Sequence, residues 1–219
     1  MPTILFPAML YAFFGAQSGG GSLAAQATAS CAVYAVFGVG FFQFGVTVAQ
    51  DRESPFATCQ RSLSGHAANR WAPSILTSFV FVAIAVSLVI AVALFMVPID
   101  LGTTARARLA LVCLAAAVPA RAMGIALGSM ASARAAVPMA NLVFLPLAYL
   151  GGLWVPPMAM SKTIAAISEW TPTRAMGVLG WAATRGVAFD PRHLGLLAAR
   201  TFAEAGVIAL ARQVHRRRG

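Results

Sequence analysis

The chain has 219 residues, 59% of them hydrophobic and only 10% charged, with a formal net charge of +10 and a mean hydropathy of +0.78. That is more apolar surface than a globule of this size can bury, which excludes a water-soluble fold and makes the chain a polytopic membrane protein. The apolar runs are unbroken and rich in Ala, Leu, Val and Phe, so helices satisfy the backbone better than the alternating strands of a closed barrel, and the expected class is an all-α membrane protein. The basic residues sit in short hydrophilic breaks and at the C-terminus, a placement that fits lipid headgroups and topology better than nucleic acid.

Six apolar segments follow in chain order, at residues 4–14, 27–49, 75–97, 109–130, 135–153 and 194–210. No basic stretch or small-residue cleavage motif marks the beginning as a leader, so segment 4–14 reads as part of the mature protein. Even a helix over residues 1–15 would reach only about 22 Å of a roughly 30 Å hydrocarbon core, so the expectation is a partial first helix or a start assigned too late. A charge-free Gly/Ser break at 15–22 leads into the second span, and the polar stretch 50–74 follows it. The third span is uncharged over its whole length and ends at Pro98, where a helix is expected to stop. The fourth carries Arg121, and the short break around Arg134 makes the fourth and fifth spans antiparallel neighbours.

Residues 154–192 hold prolines and scattered charges and are expected outside, before a last span and a basic tail of Arg212, Arg216, Arg217 and Arg218. The tail places both termini in the cytoplasm. Counting back, Arg52, Arg61, Arg70 and Arg134 lie inside with it, and Arg106, Arg108, Lys162, Arg174, Arg185 and Arg192 lie outside.

The residue types exclude several chemistries. Cys31, Cys59 and Cys113 lack paired spacing and read as small core residues, with no disulfide framework or metal site. His66, His193 and His215 fall outside the spans and read as surface residues, so no catalytic or metal-ligating set is expected. There is no GxxxxGK[ST] loop, so any ATP dependence requires a separate subunit. Gly124 and Gly128 form a GxxxG, expected to be a close-packing helix face within or between subunits.

The charged triplet Asp51-Arg52-Glu53 lies between two long apolar runs and belongs at a membrane surface. Behind it, Phe56, Cys59 and Leu63 fall on one side of a short helix, the pattern of an amphipathic segment along the surface or in a partner's groove. An ordinary solvated loop is the alternative, and for the triplet itself the alternative is a simple stop of the second helix at the surface. Arg121 either snorkels to the interface or lines a cavity for an anionic substrate. Arg200 and Glu204, four residues apart in the last span, can neutralise each other on a face turned to protein or water.

Taken together, the chain resembles the membrane subunits of type 2 (ABC-2) ATP-binding-cassette exporters over nearly its whole length. In that family an acidic-Arg-Glu triplet ends the second membrane helix and opens a cytoplasmic coupling helix, matched here by Asp51-Arg52-Glu53 with Phe56 and Leu63 behind it. The family's fifth helix ends in a Gly-Gly turn and an aromatic-proline step, matched by Gly151-Gly152-Leu153-Trp154-Val155-Pro156-Pro157. The short amphipathic segment Ile164 to Trp170 follows, and then Thr171-Pro172. The sequence departs from the pattern in having Ser54-Pro55 after the triplet, and the family's amphipathic N-terminal helix has no counterpart in it.

The resemblance implies a non-catalytic permease subunit of a bacterial cytoplasmic (inner) membrane exporter. It would pair with a second permease subunit, identical or not, and with two ABC ATPase subunits. ATP and magnesium would be bound by the ATPases and no cofactor by this chain, and the cargo would be amphipathic, drug-like or lipid-linked. The resemblance also implies that Asp51, Arg52, Glu53, Phe56 and Leu63 couple to the ATPase. Gly151, Gly152, Trp154, Pro156 and Pro157 would form an external gate; for Trp154 and Trp170, interfacial anchoring is the alternative. Two rivals come from other classes. An intramembrane enzyme is disfavoured because no His lies within a span and the acids are isolated. An ATP-independent transporter or scaffold would use the Arg200/Glu204 pair.

Overall fold

The computed structural model describes residues 2–15, 19–54, 67–97, 101–199, 201, 203 and 206, and every regular element among them is helical. Helix α1 (Pro2–Leu10) runs on into a π-helical turn, Tyr11–Gly15. Helix α2 (Gly21–Gly38), a π-helical turn (Val39–Gln43) and α3 (Phe44–Glu53) form one continuous rod. Then come α4 (Ala67–Met96), α5 (Thr103–Met130) and α6 (Ala136–Leu150). Short α7 (Lys162–Ser168) and α8 (Pro172–Arg185) follow, and a last helix, α9, covers 191–199.

Among the described residues, three helices are long and apolar enough to cross a membrane: the rod Gly21–Glu53, Leu76–Met96 and Thr103–Met130. Six spans were expected. Segment 4–14 forms a helix that is too short on its own, α6 is a shorter apolar helix of 15 residues, and the last expected span is described only at 194–199, 201, 203 and 206. Phe56, Cys59, Arg61, Leu63, His66, Arg200, Glu204, His215 and the tail arginines lie outside the described residues.

The rod is the central post. Every residue from Thr28 to Phe41 is buried, as expected of a helix that is apolar all round and packed on by neighbours from several sides. It touches α1, α4, α5, α6 and α8. Helix α4 is instead two-faced. Val82, Ala85, Val86, Val89 and Ala93 recur at helical spacing and are buried, whereas Leu76, Val80, Ile84, Leu94 and Phe95 are exposed. A bilayer is the solvent that makes such an apolar outer face stable.

Helix α5 meets the rod through a seam of small residues. A Cβ on Gly40 would lie 2.8 Å from the Ala120 Cβ, and one on Gly124 would lie 2.7 Å from the Gly40 carbonyl oxygen. A Cβ on Gly128 would strike the Gly45 carbonyl oxygen and come within 3.0 Å of the Val48 Cβ. The expected GxxxG face is therefore an intrachain contact with a second glycine pair, Gly40 inside the π turn and Gly45 just after it. In lipid, where apolar surface gives no preference for a helix partner over a lipid tail, such close backbone approach is a main source of association.

Gly128→Leu is expected to force the seam open and destabilise the protein by about 1–3 kcal/mol through overpacking. Gly102→Ala is expected to be neutral, since nothing lies within 4 Å of its Cβ position. Thermal melts of both variants in detergent test this, and equal melting temperatures would remove the seam's structural role.

Candidate functional site

At one end of the bundle the triplet is tied to the α5–α6 turn. The Arg52 guanidinium donates through Nη1 to the Gly128 carbonyl at 3.2 Å and to the Ser129 carbonyl. These are last-turn carbonyls of α5, which lack intrahelical partners, and a cation there also suits the helix dipole. The Glu53 carboxylate accepts from the Ala133 backbone N–H at 3.0 Å. Arg52 and Glu53 thus both bond to the segment where α5 ends and the turn to α6 begins. Asp51 is exposed. The glycine seam brings α3 and α5 close enough for both bonds to form, and the turn itself is closed by Ser132, whose carbonyl and hydroxyl accept from Ala135 N–H.

Arg121 lies two turns deeper, with its guanidinium carbon 4.3 Å from the centroid of the Phe44 ring. It is half-buried between α3 and α5, so its charge is held against an aromatic face.

At the opposite end, α6 terminates where the Gly-Gly turn predicts. Gly152 has φ +73, the left-handed conformation glycine adopts without strain. Its N–H bonds the Tyr149 carbonyl at 2.9 Å, and Leu153 N–H bonds the Ala148 carbonyl at 3.2 Å. This pair of bonds is a Schellman cap. Gly151 serves a different need: a Cβ there would meet the Thr173 side chain at 2.7 Å, so its absence lets the start of α8 pack on the end of α6. Thr173 Oγ1 then donates to the Leu147 carbonyl at 2.6 Å, and Ser168 Oγ donates to the Leu150 carbonyl. Pro157 opens a single 3-10 turn, preceded by Pro156. Trp154 is partly exposed, with its ring 5.7 Å from Tyr34 of α2. Tyr34 and Phe37 in turn pack on Phe144 of α6.

Helix α8 is the element that sequence reasoning missed. The stretch 154–192 was expected as an external loop with one short amphipathic piece; α7 matches that piece, but residues 172–185 form a largely buried helix wedged against α2 and α5. Thr171 caps it, accepting from Arg174 N–H at 3.3 Å, with Pro172 at its first position, and Gly186 ends it at φ +70. Trp181 Nε1 donates to the Ser30 hydroxyl of α2 at 2.8 Å, and both groups are buried. The available signal was the apolar run 175–183 with Gly177 and Gly180 on one side. That run is too short for a span, so hydropathy alone does not separate it from a loop.

Near the start of α5, Arg108 stacks on Phe189 at 4.7 Å and donates to the Val187 carbonyl. Asp190 caps α9 by accepting from Arg192 N–H at 2.9 Å and lies 3.2 Å from the His193 ring. The Arg192 N–H, with help from His193, holds the Asp190 carboxyl below its ordinary range. His193 is thus partly buried and engaged, where an ordinary surface residue was expected.

Trp181→Phe is expected to leave the Ser30 hydroxyl without its donor and to cost about 0.5–2 kcal/mol. A double-mutant cycle with Ser30→Ala, read by thermal unfolding, isolates that bond. A coupling energy of zero would show that the wedge is held by packing alone.

The profile of the family described as ABC-2 type transporter matches residues 1–178. The protein named "Putative transport permease YvfS" from Bacillus subtilis (strain 168) is 31% identical over 70 residues, which make up 32% of this chain and 29% of that protein. The matched stretch thus covers less than a third of that relative's length. No solved structure matches the chain. With the family's profile running from the first helix into α8, through both the tethered triplet and the capped Gly-Gly turn, the chain belongs to the ABC-2 type transporter family.

Proposed function

We propose that this chain is the permease half of an ATP-driven exporter: a six-span subunit that forms a translocation pathway with a second permease subunit and is driven by two separate ABC ATPase subunits. ATP and magnesium belong to those ATPases. The cargo is an amphipathic, drug-like or lipid-linked compound leaving the cytoplasm across a bacterial inner membrane, with both termini of the chain on the cytoplasmic side. Family membership supports the coarser part of this reading, a non-catalytic transport permease subunit of a kind that generally works with an ABC ATPase.

The observation that carries the reading is the double tether of Arg52 and Glu53 to the α5–α6 turn. An exporter must convert the closing of ATPase subunits into movement of membrane helices, which requires a stiff corner just at the bilayer surface. Here the segment after Glu53 continues from a helix that is bonded to the end of α5 and to the turn leading into α6, and packed backbone-to-backbone against α5. A push on Phe56 or Leu63 from an ATPase groove would reach α3, α5 and α6 together, with Asp51 exposed beside the corner for an ion pair to the partner. At the other end, Gly151, Gly152, Trp154, Pro156 and Pro157 form the outer gate: the helix stops there and α8 folds back into the bundle, a broken backbone of the kind that occurs at membrane depth only in protein or beside a cavity.

Two measurements test the proposal. Gentle detergent purification of the tagged chain from its native membrane is expected to recover a stoichiometric ATP-binding subunit. A chain that runs without one, and transports only with a proton gradient, would replace this reading with an ATP-independent transporter. Charge reversal, Glu53→Arg, is expected to leave the protein in the membrane and to reduce export or ATPase retention severalfold. Unchanged export at unchanged expression would remove the coupling role from that residue.

A further inference from the structure

Between α8 and α9 lies a cavity of about 320 Å³ that the permease reading does not use. Arg174, Val178, Trp181 and Arg185 line it from α8, at spacings of four, three and four residues that place them along one side of that helix. Arg192 and His193 line it from the start of α9. Three guanidinium groups therefore face a single lining carboxylate, Glu169. His193 adds little to this excess, because Asp190 sits 3.2 Å from its ring.

Arg174 is the distinctive member. Its guanidinium carbon lies 5.1 Å from the centroid of the Trp181 ring, and Trp181 is itself fixed by its bond to Ser30. Stacking occupies the face of a guanidinium and leaves its in-plane N–H donors to find acceptors. The Arg174 Nη1 is buried and has no hydrogen-bond partner among the described residues. That nitrogen lies against the Gly151-Gly152 turn, 3.1 Å from where a Gly152 Cβ would stand, so the donors that Arg174 can offer the cavity are its remaining N–H groups. Arg185 uses its Nε on the Trp181 carbonyl at 3.3 Å, which leaves its terminal nitrogens. Convergent guanidinium forks match the oxygen geometry of a phosphate group better than that of a neutral ligand. Val178, Trp181 and Leu196 supply an apolar wall beside them. The volume suits a headgroup-sized ligand and is too small for a complete lipid.

We propose that this cavity is an anion site for a phosphate group carried on an apolar stem, with Arg174, Arg185 and Arg192 as its ligands and Trp181 as the platform that holds Arg174. The same phosphate chemistry is offered by a lipid headgroup and by free inorganic phosphate, and the test separates them.

The full chain, purified in a neutral detergent, is titrated with dihexanoyl phosphatidic acid, with dihexanoyl phosphatidylcholine and with sodium phosphate, and binding is read by calorimetry. Phosphatidic acid is expected to bind saturably and about tenfold more tightly than phosphatidylcholine, whose choline offsets the phosphate charge, a ratio typical of losing one good charge-assisted contact. Arg192→Gln, at an exposed position, is expected to weaken phosphatidic acid binding by a similar factor. Arg174→Gln is expected to do so at least as strongly, with circular dichroism confirming that the variant is folded. If sodium phosphate displaces phosphatidic acid, the site is one for the free anion; if it does not, the apolar stem is part of what is recognised, and the cationic site stands in both cases. Equal binding of the two lipids, or unchanged affinity in folded Arg192→Gln and Arg185→Gln, overturns the proposal.

Discussion

Everything else in this bundle depends on how closely the rod α2–α3 approaches α5. The approach is possible because Gly40, Gly45, Gly124 and Gly128 expose backbone where other residues would carry side chains. Contacts of this kind are steep in distance: a small separation forfeits much of the dispersion energy, and the bilayer offers no hydrophobic force to replace it. The seam also determines what happens at its ends. Arg52 can bond the Gly128 carbonyl only because that carbonyl is held beside α3, so a packing feature of the membrane core sets the geometry of the charged surface corner.

The far end is organised by a different device. There the chain turns sharply at Gly151-Gly152 and returns as α8, which brings polar groups into a mainly apolar region. Each of several such groups is matched: Thr173 to the Leu147 carbonyl, Ser168 to the Leu150 carbonyl, Trp181 to Ser30. Unpaired, these groups would work against burial of the wedge; paired, they specify where it sits. Arg174 is the exception to that matching, at its Nη1.

Much of this was legible in the residues, for identifiable reasons. The all-helical class followed from composition; the stop of α4 before Pro98 and the cap at Gly151-Gly152 followed from local backbone chemistry, which acts within a few residues and so is written in a short stretch of sequence. The GxxxG of α5 was visible as a packing face, but its partner was not, because Gly40 and Gly45 are five apart and align only across a π-helical turn that no spacing rule anticipates. Helix α8 was hidden for a comparable reason. Its burial comes from the tertiary groove between α2 and α5, while its own composition, with arginines at both ends and too few apolar residues for a span, resembles a loop. Arg121 was recognised as anomalous, and the Phe44 ring that holds its guanidinium is a long-range contact that single-sequence reading does not supply.

The rod joins the two ends physically. Ser30, which receives the Trp181 bond, and Glu53, which receives the Ala133 bond, lie on one continuous helix, about 35 Å apart at 1.5 Å per residue. A rigid rod would carry a displacement at its charged end directly to the wedge. This rod is interrupted by the π turn at Val39–Gln43, where the hydrogen-bond ladder is already irregular and bending is least costly. Yet the turn sits inside the glycine seam, with Gly40 against Ala120 and Gly124 against Phe41. Bending there would open the closest contacts in the bundle. The segment below the turn is therefore bound to α5 more firmly than it is hinged to the segment above, so movement entering at Glu53 is shared first with α5 and α6. It reaches the wedge by two routes, along the rod through Ser30 and along α6 through the Leu147 carbonyl and Thr173.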